Sequence, residues 1–280
     1  MSGRLFAACA LLAAVAVPAH AADAPGKKKT APPAPVPVVS PWDFAFGAKL
    51  QSDYNFRGIS QTDKKPGVMG YGEVRYDNFA YAGLAGYSVD LPTKPFAEVD
   101  LTAGIRPTLG PISFDLGGIY YLYPSESPIS GTTVSNSDFF EFAGKASYTW
   151  NETVTLGGNA FYTWNWLGTG ADATYVSAVA KVALPAGFAV SGEFGRYFIG
   201  TQTKPVRTQL ESYNYWNAGL SYTWKQVTLD ARYHGTDLKK SECYTLTGDP
   251  AGAASGRSKW CGDAFIATLG VDFVYSDLKK

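Results

Sequence analysis

Few side chains in this 280-residue sequence have both the type and the spacing to do chemistry. His234 is the first to consider, because Asp230 and Arg232 precede it at intervals of two and a histidine near a carboxylate is a common general base. In an extended segment the three side chains share one face, and that face is polar. A lipid hydrolase would need the group on the side that meets lipid. A lone histidine on a polar wall reads instead as a solvated group, so no catalytic residue is predicted and the chain is not read as an enzyme.

The cysteines are three: Cys9, Cys243 and Cys261. Cys9 sits in an apolar run that starts after Arg4 and ends at Ala19-His20-Ala21, the pattern of a cleaved export signal. Residues 1–21 are therefore expected to leave, and Cys243 and Cys261 remain as an even pair in an oxidising compartment, where a disulfide is favoured. A metal centre would need more ligands than His234 and two thiols supply. No glycine-rich phosphate cradle is present. No metal and no cofactor is predicted.

Most of the remaining chemistry is ionic. Lys49, Asp53, Arg57, Glu73, Arg75, Glu98, Asp100, Arg106, Asp115, Glu141, Lys145, Asp230 and Arg232 are candidates to line one polar surface, with Asp77, Lys181, Glu193, His234 and Asp272 beside them. Across the whole sequence 24 Lys and Arg balance 24 Asp and Glu, which removes the electrostatic basis for nucleic-acid binding. Because both signs are mixed on the candidate surface, no strong selectivity for anions or cations is expected.

The elements that must hold these residues have a period of two. Phe44, Phe46, Ala48 and Leu50 alternate with Lys49, Gln51 and Asp53, and Val99, Leu101, Ala103 and Ile105 with Glu98, Asp100, Thr102 and Arg106. The pattern predicts twelve strands, near 43–57, 67–77, 79–90, 96–107, 111–123, 138–150, 153–164, 173–184, 188–197, 209–224, 227–234 and 263–275. Tight connections such as Asp77-Asn78, Asn151-Glu152 and Lys225-Gln226 alternate with longer ones around 60–66, 91–95, 124–137, 165–172, 200–208 and 235–262. Short turns on one rim and longer loops on the other are the habit of outer-membrane barrels.

Aromatic residues gather at strand ends, which is where amphipathic rings meet a bilayer interface. Trp42, Phe44, Tyr76, Phe79, Tyr148, Trp150, Trp224 and Tyr275 fall beside tight turns or the termini. Tyr54, Phe56, Tyr87, Tyr120, Tyr162, Trp164, Trp216 and Tyr233 fall near the longer loops. The fold expected is all-β, a transmembrane antiparallel up-and-down barrel of about twelve strands over 42–280, preceded by a Pro-rich periplasmic linker over 22–41 that carries Lys27, Lys28 and Lys29.

The run Ser52-Asp53-Tyr54-Asn55-Phe56-Arg57-Gly58-Ile59-Ser60-Gln61-Thr62, with Pro66, Gly70-Tyr71-Gly72 and Tyr81-Ala82-Gly83-Leu84 after it, resembles the TorF family of Gram-negative porins. The match is strongest over the first third of the mature chain. The resemblance implies an outer-membrane barrel with a transport role. The chain is thus expected in the bacterial outer membrane with both termini periplasmic, in contact with outer-membrane lipid, lipopolysaccharide, the barrel-assembly machinery and small hydrophilic solutes. The rival expectation is a structural or adhesive outer-membrane protein with a closed lumen that binds through its external loops.

Overall fold

The structure, a computed structural model, describes residues 40–127 and 136–278. The expected signal, nearly all of the linker with its lysine run, and the middle of the 124–137 loop lie outside the described residues.

Twelve strands form the wall: β1 (Trp42–Gln51), β2 (Gly67–Tyr76), β3 (Ala80–Tyr87), β4 (Glu98–Ile105), β5 (Ile112–Leu122), β6 (Phe139–Trp150), β7 (Val154–Trp166), β8 (Ala171–Ala183), β9 (Phe188–Ile199), β10 (Tyr213–Trp224), β11 (Val227–Thr236) and β12 (Ala264–Val274). Each pairs antiparallel with its neighbours in sequence, and β12 pairs with β1 through Phe46 opposite Phe273 and Leu50 opposite Leu269. The sheet therefore closes on itself, so the wall has no free edge to present.

Alternation sorts the side chains as the sequence predicts. Leu50, Leu84, Leu101, Leu156, Leu220 and Leu229 are exposed on the outer surface. A continuous apolar exterior of this extent is what hydrocarbon, rather than water, would cover. Trp42, Tyr76, Trp150 and Trp224 are exposed at the rim of tight turns, and Trp164, Phe198 and Phe265 toward the opposite rim. Among the described residues no helix is long and apolar enough to cross a membrane.

The interior face is crowded with tyrosine, and small residues make room for it. Cβ atoms at Gly104 and Gly117 would run into the Tyr81 hydroxyl, and one at Gly195 would overlap the Tyr175 ring. These glycines are placed by what stands in front of them, a use distinct from backbone freedom.

Five expectations are corrected. The first strand stops at Gln51, and residues 52–66 turn into the barrel, where Asn55–Phe56 and Ile59–Ser60 form a small hairpin. Tyr54 and Phe56 therefore face the interior and not lipid, and Asp53 and Arg57 belong to this insert and not to the wall. Tyr87 is likewise buried, stacked on Tyr54 at 4.7 Å between ring centroids. The tenth strand begins at Tyr213, because Gln209 is used to pair with Thr201 in a separate hairpin. Asp77 lies in a tight turn at φ 52° rather than on the wall, and the connection after β7 spans only 167–170.

Candidate functional site

The lumen and its insert make up the candidate site. Chain reversal at the tip of the insert comes from Arg57 at φ 48° and Gly58 at φ 90°. The second value suits glycine, and Thr236 and Tyr215 press where a Cβ would be. At the base of the insert Asp53 Oδ1 accepts from Ser60 Oγ at 2.6 Å and Thr62 Oγ1 at 3.0 Å, closing the loop on itself.

Arg57 crosses the lumen to Glu141 on β6. Its Nη1 and Nη2 donate to the two carboxylate oxygens at 2.8 Å each, the parallel fork that gives arginine its geometric specificity. Rings of Phe56, Phe161 and Tyr175 lie 4.6 Å from the guanidinium carbon, and that of Tyr197 lies 4.8 Å away. Tyr213 Oη donates to the Arg57 carbonyl at 3.0 Å and Tyr121 Oη to Glu141 at 3.1 Å. The insert is thus held by a cation in an aromatic box.

Next to it, Glu98 accepts from Tyr54 Oη at 2.5 Å and from Tyr123 Oη at 2.9 Å. Asp100, two residues along β4 and opposite Tyr121, is buried, and among the described residues nothing donates to its Oδ1.

Further toward the tight-turn rim the charges pair. Arg106 forks onto Glu73 at 2.8 and 2.7 Å, Arg75 reaches the same carboxylate at 2.6 Å, and Tyr81 Oη donates to Asp115 at 2.7 Å. Lys145 stands opposite Asp115 across the β5–β6 ladder. On the facing wall Arg232 binds Asp230 at 2.9 Å, Asn217 at 2.6 Å and Ser191 at 2.8 Å, while Glu193 accepts from Tyr175 at 2.8 Å. Lys49, Lys181 and Asp272 have the inward parity of their strands, and Asp272 accepts from Tyr71 at 2.9 Å. The structure so brings the sequence candidates into one interior, apart from Asp77.

His234 is not solvated as expected. It is buried, with Nδ1 at 2.9 Å from Tyr215 Oη, which in turn accepts from Asn217. Its hydrogen-bond partner is a phenol and not Asp230, whose carboxylate is taken by Arg232.

The external face is organised around the disulfide. Cys243 and Cys261 are bonded, with Cα atoms 5.9 Å apart. Cys243 belongs to a short helix, α1 (Lys240–Thr247), opened by Lys239 and Glu242, whose carboxylate accepts from the Lys239 backbone at 2.8 Å. The Lys239 ammonium on that carboxylate lowers the Glu242 pKa. The stapled loop rests on the insert: Ser60 N donates to the Trp260 carbonyl at 2.9 Å, and Trp260 Nε1 donates to Asp63 at 2.8 Å. Lys65 then bridges Asp63 at 2.8 Å and Asp90 at 3.0 Å, and Lys94 reaches Asp90 at 2.6 Å. These ammonium groups hold both aspartates below the ordinary carboxylate range.

Sequence reasoning missed Tyr54, Tyr121, Tyr123, Tyr175, Tyr197 and Tyr213 as interior donors and box walls. Strand parity carried the signal for Tyr121, Tyr175 and Tyr213, because each falls opposite to lipid-facing neighbours.

A closed twelve-stranded antiparallel barrel with an apolar exterior and an ionic, tyrosine-rich interior defines a transmembrane β-barrel protein. Residues 37–268 match the model of a family described as bacterial protein of unknown function, Gcw_chp, and the chain belongs to that family. No curated protein matches the chain. Among solved structures it is similar to the NanC porin, with TM-score 0.49 and 12% identity over 83% of this chain and 98% of that one. It is also similar to the KdgM porin, with TM-score 0.46 and 7% identity over 82% and 98%, and to an outer membrane channel from Pseudomonas putida F1, with TM-score 0.45 and 10% identity over 88% and 100%.

Proposed function

We infer that the chain is an outer-membrane channel of the porin kind, which passes small hydrophilic solutes or ions by diffusion through a lumen narrowed by residues 52–66. The observation that carries this reading is the opposition of two surfaces on one wall: exposed Leu, Val, Phe and Trp outside, and Glu73, Arg75, Arg106, Asp115, Asp230 and Arg232 inside. Charged side chains facing a barrel interior solvate a water path, whereas the same residues facing lipid would be costly.

In this reading residues 1–21 are the export signal, 22–41 the periplasmic linker, and both termini face the periplasm. Lipid and lipopolysaccharide surround the belt, and the assembly machinery inserts it. The resemblance of the 52–62 run to the TorF porins agrees with this, and in the structure that run forms the insert. The remaining wall candidates, Lys49, Glu98, Asp100, Glu141 and Lys145, are assigned to the path. Purified protein in planar bilayers should give stepwise conductance; silence after verified insertion would overturn the reading.

A second reading is favoured by a specific observation, the latch of Arg57 on Glu141 with its four rings. A barrel shut there would be a structural or adhesive surface protein presenting the disulfide-stapled loop. Bilayer silence in the wild type together with conductance in a variant lacking residues 54–61 would select it.

A further inference from the structure

Along the lumen, acidic groups differ in what neutralises them. Glu141 receives Arg57, Glu73 receives Arg75 and Arg106, Asp115 receives Arg106, and Asp230 receives Arg232. Glu193 accepts from Tyr175 and Asn217, and Asp53 from Ser60 and Thr62, with no basic partner at ion-pair distance among the described residues. Glu98 and Asp100 share that lack, and are set apart by standing two residues apart on one face at the external end of β4. Among the described residues Glu98 is held only by tyrosine hydroxyls, and Asp100 is 1% exposed with an oxygen to which none of them donates. An ionised carboxylate so placed is strongly destabilised unless a positive charge reaches it.

The surroundings indicate which charge fits. Tyr121 stands directly across the ladder from Asp100 and Tyr87 across from Glu98. Tyr54 stacks on Tyr87, and Phe56 meets Tyr121 edge on at 6.0 Å. Two carboxylates fall short of the oxygen ligands a calcium ion takes, and among the described residues no group of three or more His, Cys, Asp or Glu is placed to hold a metal. Carboxylate plus aromatic faces suits an organic cation. The neighbouring box already shows the chemistry in the chain itself, since Arg57 is a guanidinium held by one carboxylate among four rings.

Accordingly, we propose that Glu98 and Asp100, walled by Tyr54, Tyr87, Tyr121 and Tyr123, form a subsite for small organic cations, ammonium or guanidinium, at the external end of the lumen. The even balance of charge over the whole wall conceals this, because the basic partners lie elsewhere in the lumen. The subsite rests on the channel reading for its place in transport, but its occupancy does not.

The probe is agmatine, which carries a guanidinium and an ammonium. Calorimetric titration into the detergent-refolded full chain should show binding that weakens about tenfold or more in Asp100→Asn, the loss expected when one desolvated charge contact is removed. Glu98→Gln, with its tyrosine donors retained, should weaken it as well. Gel heat-modifiability verifies that each variant is folded. In bilayers under a KCl gradient, the reversal potential should show cation preference in the wild type that Asp100→Asn reduces. Binding without conductance would leave the subsite standing and sink the channel. No titration heat in the wild type, or equal affinity in wild type and Asp100→Asn, would overturn the subsite whatever the conductance.

Discussion

Arg57 and Glu141, 84 residues apart in sequence, meet in a two-pronged ion pair inside the barrel. One partner comes from the loop after β1 and the other from β6, five strands along the wall. Arg57→Ala would leave Glu141 buried without its counter-ion, a loss of about 3 kcal/mol or more by analogy with broken buried pairs. The insert should then detach from the wall and the single-channel conductance should rise. Arg57→Lys should fall short of the wild type as well, because an ammonium cannot make the fork. Unchanged conductance and unchanged unfolding midpoint in Arg57→Ala would contradict the latch.

The disulfide closes a stretch with a sequence separation of 18, for which the loop-closure model gives roughly 3 kcal/mol of stabilisation. Replacing Cys243 and Cys261 by serine should make the external loop a substrate for limited proteolysis while the barrel keeps its heat-modifiable migration. Because Trp260 contacts Asp63 and Ser60, backbone amides near Ile59 should exchange faster in the same variant. Protection unchanged at both places would show that the staple does not support the insert.

Asp63 and Asp90 are held below the usual value by Lys65 and Lys94, so the contribution of this cluster is present above the unfolded aspartate pKa, about 3.9, and is lost as pH falls through the lower folded values. Exposure keeps the effect small. Hydrogen exchange in the segments 61–66 and 88–94 should therefore quicken as pH is taken below that point, beyond the intrinsic trend seen in Asp63→Asn with Asp90→Asn. A wild type and a double variant that respond alike would exclude the cluster as the cause.

Leu84 is 54% exposed in the middle of β3, between Gly72 and Leu101. Leu84→Arg should cost about 2–4 kcal/mol in lipid vesicles, the penalty for a cation near the bilayer midplane of a barrel. Its neighbour Thr102, of inward parity, should accept lysine at far smaller cost. Equal urea midpoints for the two variants would mean that the exterior of β3 does not meet lipid.

All twelve strands are present in the sequence because lipid on one side and water on the other enforce strict alternation, and the bounds of β2, β5, β6, β7 and β11 agree with the expected spans within a few residues. Residues 52–57 were misread for the same reason. Tyr54 and Phe56 continue the alternation of β1, and period alone does not say whether an apolar ring faces hydrocarbon or a crowded lumen. Gly58 marked the reversal, yet its significance depends on Thr236 and Tyr215, which are remote in sequence. Tyr87 was legible: counted from Leu84 it has the opposite parity. The pairing of Arg57 with Glu141, and the isolation of Asp100, depend on barrel closure and could not be read from local pattern.

A hoop of strands resists stretching through its hydrogen bonds but offers little resistance to being squeezed into an ellipse. The segment leaving β1 at Ser52 and gripping β6 through Arg57 spans nearly opposite sides of the ring, with five strand-to-strand steps one way round and seven the other. It is a cross-brace as well as an obstruction. A barrel built this way holds its cross-section against lateral pressure from the membrane, so that whatever loosens the brace changes the shape of the aperture along with its width.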